Sequence, residues 1–284
     1  MIFRVIDIET IPDPEVWTPG EATYKIVPDV RTTANYDTGP ISTERISTSE
    51  KILRAVEIKP FFPPHAQRVV AISGVDVVFD PASSPKYRFD KCFTTCGWSR
   101  ETKGADYEER KLLADFHWIM SGDVHFVTWN GRTFDLPVIV LRSLKHGLPC
   151  KWYYANKDVR YRYSPEGHLD LMDYWSDFGA VRPMKLHDAC RLIGLPGKTD
   201  MSGASIEGIY QSSLADLSID LEKTQTSVAR YCLQDSIQTA LLWVRSRYHV
   251  GKVDVNTHNA ILDTFSSSES IRDAISLDWD RLKL

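Results

Sequence analysis

The chain has 284 residues, of which 43% are hydrophobic and 11% aromatic, and its formal net charge is -4. This composition is typical of a folded globular protein, large enough for one sizeable domain or two small ones. It excludes a uniformly basic chain, so any contact with nucleic acid would depend on a local basic patch rather than on the global charge.

The positions of cysteine and apolar residues predict the cellular compartment. The five cysteines are scattered, and Cys92 and Cys96 have no neighbouring His or Cys pair for a zinc site, so free thiols in a reducing cytoplasm are expected. Arg4, Asp7 and Glu9 interrupt the place where a signal peptide needs an apolar run. No apolar run is long enough to span a membrane. We therefore predict a soluble, cytoplasmic protein.

The first part of the chain predicts three strands and a polar insert. Residues 3–13, FRVIDIETIPD, have the apolar pattern of a buried strand. Residues 68–80 and 86–95 predict two further strands joined by a Pro/Ser turn, which together suggest a three-stranded antiparallel unit. Residues 30–51 are rich in Ser and Thr without clear periodicity, which predicts a long surface loop or a partly ordered flap.

The rest of the chain alternates strand and helix signals before becoming mainly helical beyond Leu169. Residues 107–120 have helical spacing, residues 124–129 predict a short apolar strand, and residues 136–147 predict a helix ended by glycine. This order of elements predicts an α/β or α+β domain with one mixed central sheet.

Two carboxylates, Asp7 and Glu9, lie in the middle of the first predicted strand. Side chains alternate faces along a strand, so both point the same way, with Ile8 on the other face. A strand end that reaches solvent would explain them. If they are buried, two unit charges ~4 Å apart repel by roughly 4 kcal/mol near a protein surface. Hard divalent cations with oxygen ligands would relieve that repulsion.

Two later stretches hold further acidic candidates. In residues 128–139, TWNGRTFDLPVI, Asn-Gly could mark a plain hairpin turn. A helix is the better interpretation of the residues after this turn, and it places Asp135 at a helix start beside the edge of the sheet. In residues 227–248, Tyr231 and Asp235 are four apart and so stack on one side of a predicted helix. A tyrosine on a helix is usually an ordinary core residue, and taken alone Tyr231 is interpreted in that way.

In this order, D-x-E on the first strand, N-x-x-x-F-D in the middle and Y-x-x-x-D near the C-terminus resemble the three motifs of the DEDD superfamily of 3′–5′ exonucleases. The tyrosine is similar to that of the DEDDy branch; the sister branch has a histidine where this chain has Arg230. The stretches PPHAQRVVAISGV, HLDLMDYWS, LHDACRLIGLPGK and YCLQDSIQTALLW resemble the predicted exonucleases related to the proofreading domain of family B DNA polymerases. The resemblance runs from Phe3 to about Tyr248.

The resemblance implies an RNase H-like fold and two divalent metal ions, Mg²⁺ or Mn²⁺. It implies an exonuclease domain over residues 1–250, with a polar insert at about 20–60, and a C-terminal extension over 251–284; without a polymerase module the domain would be free-standing. The implied metal ligands are Asp7, Glu9, Asp135 and Asp235. Such ions, ~3.5–4 Å apart, can activate a water and stabilise the leaving 3′ oxygen. Tyr231 would orient the attacking water, since its unperturbed pKa of about 10 makes it a poor general base.

Residues 151–163, KWYYANKDVRYRY, are a candidate path for the substrate. Basic and aromatic side chains interleaved in this way suit single-stranded nucleic acid, and Arg160 and Arg162 would contact phosphates. An ordinary exposed strand is the alternative, because RYRY alternates with period two. Asp170 is predicted to cap a helix rather than to be a fifth ligand. Family analogy adds Thr10 and Asn130 at the terminal nucleotide, Phe134 beside its base, and Lys198 at a phosphate or in a solvated loop.

The sequence therefore predicts a metal-dependent 3′–5′ exonuclease with a role in DNA repair. Its partner would be single-stranded nucleic acid with a free 3′ end, and DNA is favoured over RNA. A 3′–5′ exoribonuclease of the ribonuclease D type shares the same residues and would differ in its tolerance of a 2′-OH. A nucleic-acid-binding module without catalysis, and a globular domain with coincidental acids, are disfavoured because all four acidic residues and Tyr231 are present.

Overall fold

A computed structural model describes residues 1–18, 23–28, 53–58, 62–101, 104–120, 122–198, 201 and 203–284, with the backbone alone at 23–28, 53–58 and 204. The strands are β1 Ile2–Pro12, β2 Thr23–Pro28, β3 Leu53–Ile58, β4 Gln67–Phe79, β5 Tyr87–Cys96, β6 Val124–Thr128 and β7 His168–Asp170. The helices are α1 Gly104–Ile119, α2 Asp135–Lys145, α3 Lys151–Ala155, α4 Lys157–Arg160, α5 Leu171–Trp175, α6 Leu186–Leu192, α7 Gly203–Ala215, α8 Leu221–His249, α9 Val255–Ser266, α10 Glu269–Ala274 and α11 Trp279–Leu282.

The central sheet of the described residues has five strands in the order β5-β4-β1-β6-β7. β1 pairs antiparallel with β4 and β4 with β5, whereas β1 pairs parallel with β6 and β6 with β7. Helices lie against both faces. The three-stranded antiparallel unit is confirmed, and so is the predicted α/β fold of the RNase H-like type, a mixed central sheet flanked by helices.

Strands β2 and β3 pair with each other antiparallel as a separate two-stranded sheet. They lie within the predicted polar insert at about 20–60 and had no signal in the sequence interpretation. The predicted loop or flap over residues 30–51 lies outside the described residues.

The alternation of β1 decides which helix meets the two carboxylates. Phe3 and Val5 belong to the core that includes α8, whereas Ile8 belongs to the core formed with α1 and α2. Each buried apolar side chain of this kind stabilises the packing by roughly 1.5–3 kcal/mol. Asp7 and Glu9 share the parity of Phe3 and Val5, so they lie on the side of the sheet that α8 covers.

Helix α8 runs across the sheet as the main support of the site. The side chain of Asp220 caps its first turn by accepting a hydrogen bond from the backbone N–H of Lys223. Trp243 is fully buried, with its ring 4.7 Å from that of Phe3 on β1. The predicted apolar face is confirmed, since all of its residues are buried: Leu233, Ile237, Ala240, Leu241 and Val244.

A tight loop joins β6 to α2 and brings Asp135 to the edge of the sheet. Asn130 has φ 66°, in the left-handed region that asparagine tolerates better than most residues. The chain then enters α2 at Asp135, and the Leu136 N–H donates to the carbonyl of Gly131. The prediction of a helix start is confirmed, and the hairpin alternative is wrong.

Residues 151–163 contain two short helices, α3 and α4, and not the exposed strand that RYRY suggested. Asn156 separates them, and its side chain accepts a hydrogen bond from the Asp158 N–H at the start of α4. Trp152 packs against the rings of Phe116 and Phe126 in the core. These contacts anchor α3, whereas in RYRY Arg160 ends α4 and residues 161–163 follow it without forming a strand.

The C-terminal helices α9–α11 share the main core with the sheet. Phe265 and Leu282 are buried in the same cluster as Phe3 and Trp243. The division of the chain at residue 250 stays a prediction. All five cysteines are free thiols. Within the described residues, no helix combines the length and the apolar character that crossing a membrane requires.

Candidate active site

Four carboxylates from three elements come together at one end of the sheet. Asp7 and Glu9 are on β1, Asp135 is the first residue of α2, and Asp235 is on α8. Glu9, Asp135 and Asp235 are buried, and Asp7 is half-buried. The charges of the other three all act on Asp7. The structure therefore brings together the four acidic residues that the sequence singled out.

Burial and mutual repulsion disfavour the ionised forms of these groups. Burial raises the pKa of Asp7 well above its usual range, and the charges of Asp135, Asp235 and Glu9 raise it further. Burial, followed by the Asp235 charge, raises the pKa of Glu9 to about 8. Burial also raises the pKa of Asp135 to about 7, and it raises the pKa of Asp235 against the opposing charge of Lys198. Full ionisation of the cluster at neutral pH therefore requires added positive charge.

The donor atoms fit divalent cations. Asp135 Oδ1 is buried and has no hydrogen-bond partner among the described residues, an arrangement that costs free energy unless a ligand takes the oxygen. Carboxylate oxygens of Asp7 and Glu9 lie within 4.8 Å of each other. Negatively charged oxygen donors are what Mg²⁺ and Mn²⁺ prefer. The residues present therefore suit a hard metal ion.

Cys232 is a neighbour of the cluster that the sequence interpretation missed. Its Sγ lies 3.4 Å from the carbonyl oxygen and 3.7 Å from Oδ2 of Asp7, and Ser73 Oγ lies 3.1 Å from it on the other side. Burial, then the charges of Asp7 and Glu9, raise the pKa of the thiol well above its usual range. Cys232 is therefore a neutral, weak hydrogen-bond donor to Asp7. Its place beside Tyr231 in the sequence was the available signal.

Tyr231 and Asp235 are joined by the ammonium of Lys198. Lys198 Nζ donates to the Tyr231 hydroxyl at 2.6 Å and lies 2.9 Å from Asp235 Oδ2. Burial lowers the pKa of Lys198, but the Asp235 charge and the Tyr231 hydroxyl outweigh it and raise the pKa overall. Burial, with the Asp235 and Glu9 charges, raises the pKa of Tyr231. Lys198 therefore contacts two site residues and is not the solvated loop lysine of the alternative interpretation.

Two of the residues predicted at the terminal nucleotide, Thr10 and Phe134, are adjacent to these acids in the chain, and Asn130 lies in the loop before Asp135. Thr10 follows Glu9, and its hydroxyl donates to Gln67 Oε1 at 2.9 Å. The side-chain oxygen of Asn130 accepts a 2.6 Å hydrogen bond from the Thr133 hydroxyl. Phe134 immediately precedes α2 and packs against the core of α1 and α2. A contact of these residues with substrate stays a prediction.

Asp170 is the helix cap that the sequence predicted. Its side chain accepts hydrogen bonds from the backbone N–H groups of Met172 and Asp173 at the start of α5. It also accepts from the N–H groups of Asn130 and Arg132, each at 2.9 Å. The second pair of bonds fixes the loop that leads into Asp135, a function that the cap signal did not reveal.

The two arginines predicted to contact substrate have different surroundings. Arg160 lies over the ring of Tyr154, 5.4 Å from its centroid. Arg162 donates twice to the Asp173 carboxylate, at 2.8 and 2.6 Å, so its charge is already paired. The Arg132 side chain donates to the carbonyl of Arg160, which ties α4 to the loop before Asp135. An open groove beside α4 is lined by Lys157, Asp158, Arg160, Tyr161 and Ser164.

A second cluster of acidic residues, Asp13, Asp106 and Glu109, is neutralised by basic side chains of the protein. Arg142 on α2 is fully buried and pairs with Glu109 on α1 at 2.5 Å and with Asp13 beyond β1 at 2.7 Å. Lys145 pairs with Asp106 at 2.6 Å. Burial alone would raise the pKa of Glu109, but hydrogen bonds from His146 and Arg142 outweigh this effect and hold the pKa below its usual value. These groups connect α1, α2 and the end of β1, so their role is structural.

The comparison with protein families decides the relationship of the chain. A family model described as "Predicted 3'-5' exonuclease related to the exonuclease domain of PolB" matches residues 59–275. The chain belongs to this family. The family predicted from the sequence is thereby confirmed, and the protein contains an exonuclease-related domain. The match does not include Asp7 and Glu9, and it extends beyond Tyr248. No curated protein shows significant sequence similarity to the chain.

Solved structures give more distant likenesses to this exonuclease-family chain. One is the family B DNA polymerase from the hyperthermophilic archaeon Pyrobaculum calidifontis, with 12% identity, a TM-score of 0.44, and coverage of 94% of this chain and 29% of that chain. Another is the zinc-ion-bound form of the E. coli ExoI–ssDNA complex, with 10% identity, a TM-score of 0.38, and coverage of 90% and 46%. The chain spans less than half the length of either protein.

Proposed function

We propose that this protein is a metal-dependent 3′–5′ exonuclease that removes nucleotides from single-stranded 3′ ends, with DNA favoured over RNA. The observation that carries the proposal is the convergence of Asp7, Glu9, Asp135 and Asp235 in a site where burial raises the pKa of each. A cluster of this kind is costly for folding and is characteristic of functional sites. Membership of the exonuclease-related family supports the same conclusion.

The four carboxylates are the ligand set in this proposal, and two divalent ions, Mg²⁺ or Mn²⁺, are the cofactors. When bound, such a pair of ions activates a water for attack on the phosphodiester and stabilises the leaving 3′ oxygen. Asp135 Oδ1 is buried and has no hydrogen-bond partner in the described part of the chain, and a bound metal ion would give it one. The ionised form of all four groups would then be favoured over the protonated one.

Tyr231 and Lys198 would position the reacting groups. An ammonium has only donors, so the Tyr231 oxygen accepts from Lys198, while the hydroxyl also hydrogen-bonds to the Asp235 carboxylate. The raised pKa of Tyr231 means that its hydroxyl stays protonated at neutral pH. The hydroxyl would orient the attacking water by donating a hydrogen bond to that water or accepting one from it.

Thr10, Asn130 and Phe134 would contact the terminal nucleotide. Arg160 and the rings beside it would contact the strand that leads to the site.

A label-shortening assay tests the proposal. Single-stranded DNA and RNA of the same sequence, labelled at either end, are incubated with protein and Mg²⁺ or Mn²⁺, with Asp235→Asn as the inactive control. Loss of the 3′ label first, on DNA, supports the proposal. Faster shortening of RNA would favour the exoribonuclease alternative. Tight binding without shortening by the wild type would indicate the binding module.

A further inference from the structure

Gln238 on α8 connects the loop after α6 to the active site. It is 1% exposed and lies three residues beyond Asp235. The backbone N–H of Gly197 donates to Gln238 Oε1 at 2.7 Å, and Gln238 Nε2 donates to the carbonyl of Gly197 at 3.3 Å. Both polar ends of the amide are thus occupied by one residue of the loop, and the next residue is Lys198.

The same loop is held from its other side by α6. The backbone N–H of Lys198 donates to His187 Nδ1 at 3.1 Å. Gly197 has φ 72°, and a Cβ there would lie 2.6 Å from the same nitrogen, so only glycine fits. Leu195 anchors the preceding turn in the core with 2% exposure. The backbone at 197–198 is therefore fixed between two helices.

We propose that Gln238 is a positioning residue for Lys198. Lysine has a flexible four-carbon stem, so its ammonium reaches Asp235 and Tyr231 together only if its backbone is fixed relative to α8. Gln238 fixes the backbone next to Lys198 relative to α8, the helix that also carries Tyr231 and Asp235. The inference rests on the proposed function, since it assigns Gln238 to the same site without contact with substrate.

A double-mutant cycle tests whether Gln238 acts through Lys198. Gln238→Met should lower single-turnover cleavage by about 10–100-fold, since small displacements at a reacting site have effects of this size. In a Lys198→Met background the same change should cost less than about 2-fold. Gln234→Met is the matched control: Gln234 is on the same helix and donates to the Ala274 carbonyl, so its loss should leave the rate within about 2-fold. Equal costs of Gln238→Met in both backgrounds would overturn the proposal.

Amide exchange provides a readout that needs no nuclease activity. Loss of both Gln238 hydrogen bonds should speed exchange at the Gly197 and Lys198 amides by about tenfold, and Gln234→Met should leave them unchanged. Unchanged amide exchange in Gln238→Met would refute the role of Gln238 in holding the backbone at Gly197 and Lys198, even if cleavage falls. If Gln238→Met does not fold, Gln238→Asn keeps a neutral amide but is one methylene shorter, so it should lose the two hydrogen bonds to Gly197 and serves the same tests. If the wild type never cleaves nucleic acid, the proposed function is refuted. Amide exchange would still show whether Gln238 holds the backbone at Gly197 and Lys198.

Discussion

Lys198 and Asp235 form an ion pair in which Nζ lies 2.9 Å from Oδ2, inside a cluster of four carboxylates. One ammonium cannot balance four carboxylates, so the site retains an excess of potential negative charge. Because a metal ion and the ammonium share Asp235 as a partner, Lys198 should weaken metal binding while it positions Tyr231.

Lys198→Met should therefore separate metal binding from catalysis. Removal of a nearby positive charge should tighten Mn²⁺ binding by about 3–10-fold, whereas cleavage should fall because Tyr231 loses its donor. Titration calorimetry with Mn²⁺ and single-turnover kinetics measure the two effects. Lys185→Met, at an exposed lysine just before α6, is the matched control and should change neither. Weaker Mn²⁺ binding in Lys198→Met would contradict this account.

Asp7→Asn should abolish cleavage and stabilise the metal-free protein. The change removes a carboxyl group whose ionisation burial and the neighbouring charges oppose, but it leaves the shape of the side chain. Added Mn²⁺ should raise the melting temperature of the wild type by binding its native state, and this increase should shrink in the variant. Asp115→Asn, on the exposed side of α1, should behave as the wild type. A well-folded Asp7→Asn protein with near-full activity would remove Asp7 from the ligand set.

Tyr231→Phe should slow cleavage without loss of metal binding. The ring remains, so packing survives, but one oriented hydrogen bond is lost. The rate should fall by roughly 10²–10⁴-fold if the hydroxyl assists proton transfer, and less if it only positions the water. Mn²⁺ titration and single-turnover cleavage are compared with those of Asp235→Asn. An unchanged rate would make Tyr231 a core residue, and a loss of metal binding equal to that of Asp235→Asn would make it a ligand.

The metal-free protein should lose stability as the pH rises from about 7 to 8, above the range in which the lowered pKa values of His117, His168 and His258 act in the opposite direction. Glu9 has a folded-state pKa of about 8 and Asp135 of about 7, both above their usual values. In this window the folded state holds protons that the unfolded state has released, so raising the pH favours unfolding. Urea denaturation in EDTA measures the slope. Glu9→Gln should flatten it, and saturating Mn²⁺ should remove it, because metal-bound carboxylates hold no protons in this window and those of the unfolded chain hold none either. A metal-free stability that increases between pH 7 and 8 would contradict the raised pKa values.

Residues 151–163 should contribute to single-strand binding mainly through α4. Lys157→Ala with Arg160→Ala should weaken binding of single-stranded DNA and reduce the salt slope by about 1.4, the value for two lost phosphate contacts. Arg162→Ala should have a smaller effect because Asp173 already pairs with that arginine. Fluorescence anisotropy over a range of salt concentrations measures both. The exposed pair Lys86→Ala with Lys252→Ala is the control, and an equal loss in that control would exclude a specific path along α4.

The sequence by itself determined the features that depend on local geometry. Asp7 and Glu9 point the same way because a strand has a period of two. Tyr231 and Asp235 stack on one side of α8 because a helix returns after about four residues. Asp135 could be placed at a helix start from the residues around it. The order of these motifs along the chain also predicted the family, since motif order is a property of the sequence.

Only the tertiary structure decided the features that depend on distant contacts. The position of Lys198 follows from Gln238, 41 residues from Gly197, and no local pattern encodes that contact. Cys232 lies against Asp7 although 225 residues separate them. The period-two alternation of RYRY, residues 160–163, suggested an exposed strand as one alternative, but Arg160 ends α4 and no strand follows it there. The free energy of tertiary packing sets the direction of loops and overrides weak local preferences for helix or strand. This packing exists only once the chain is folded, so the sequence pattern alone does not show it.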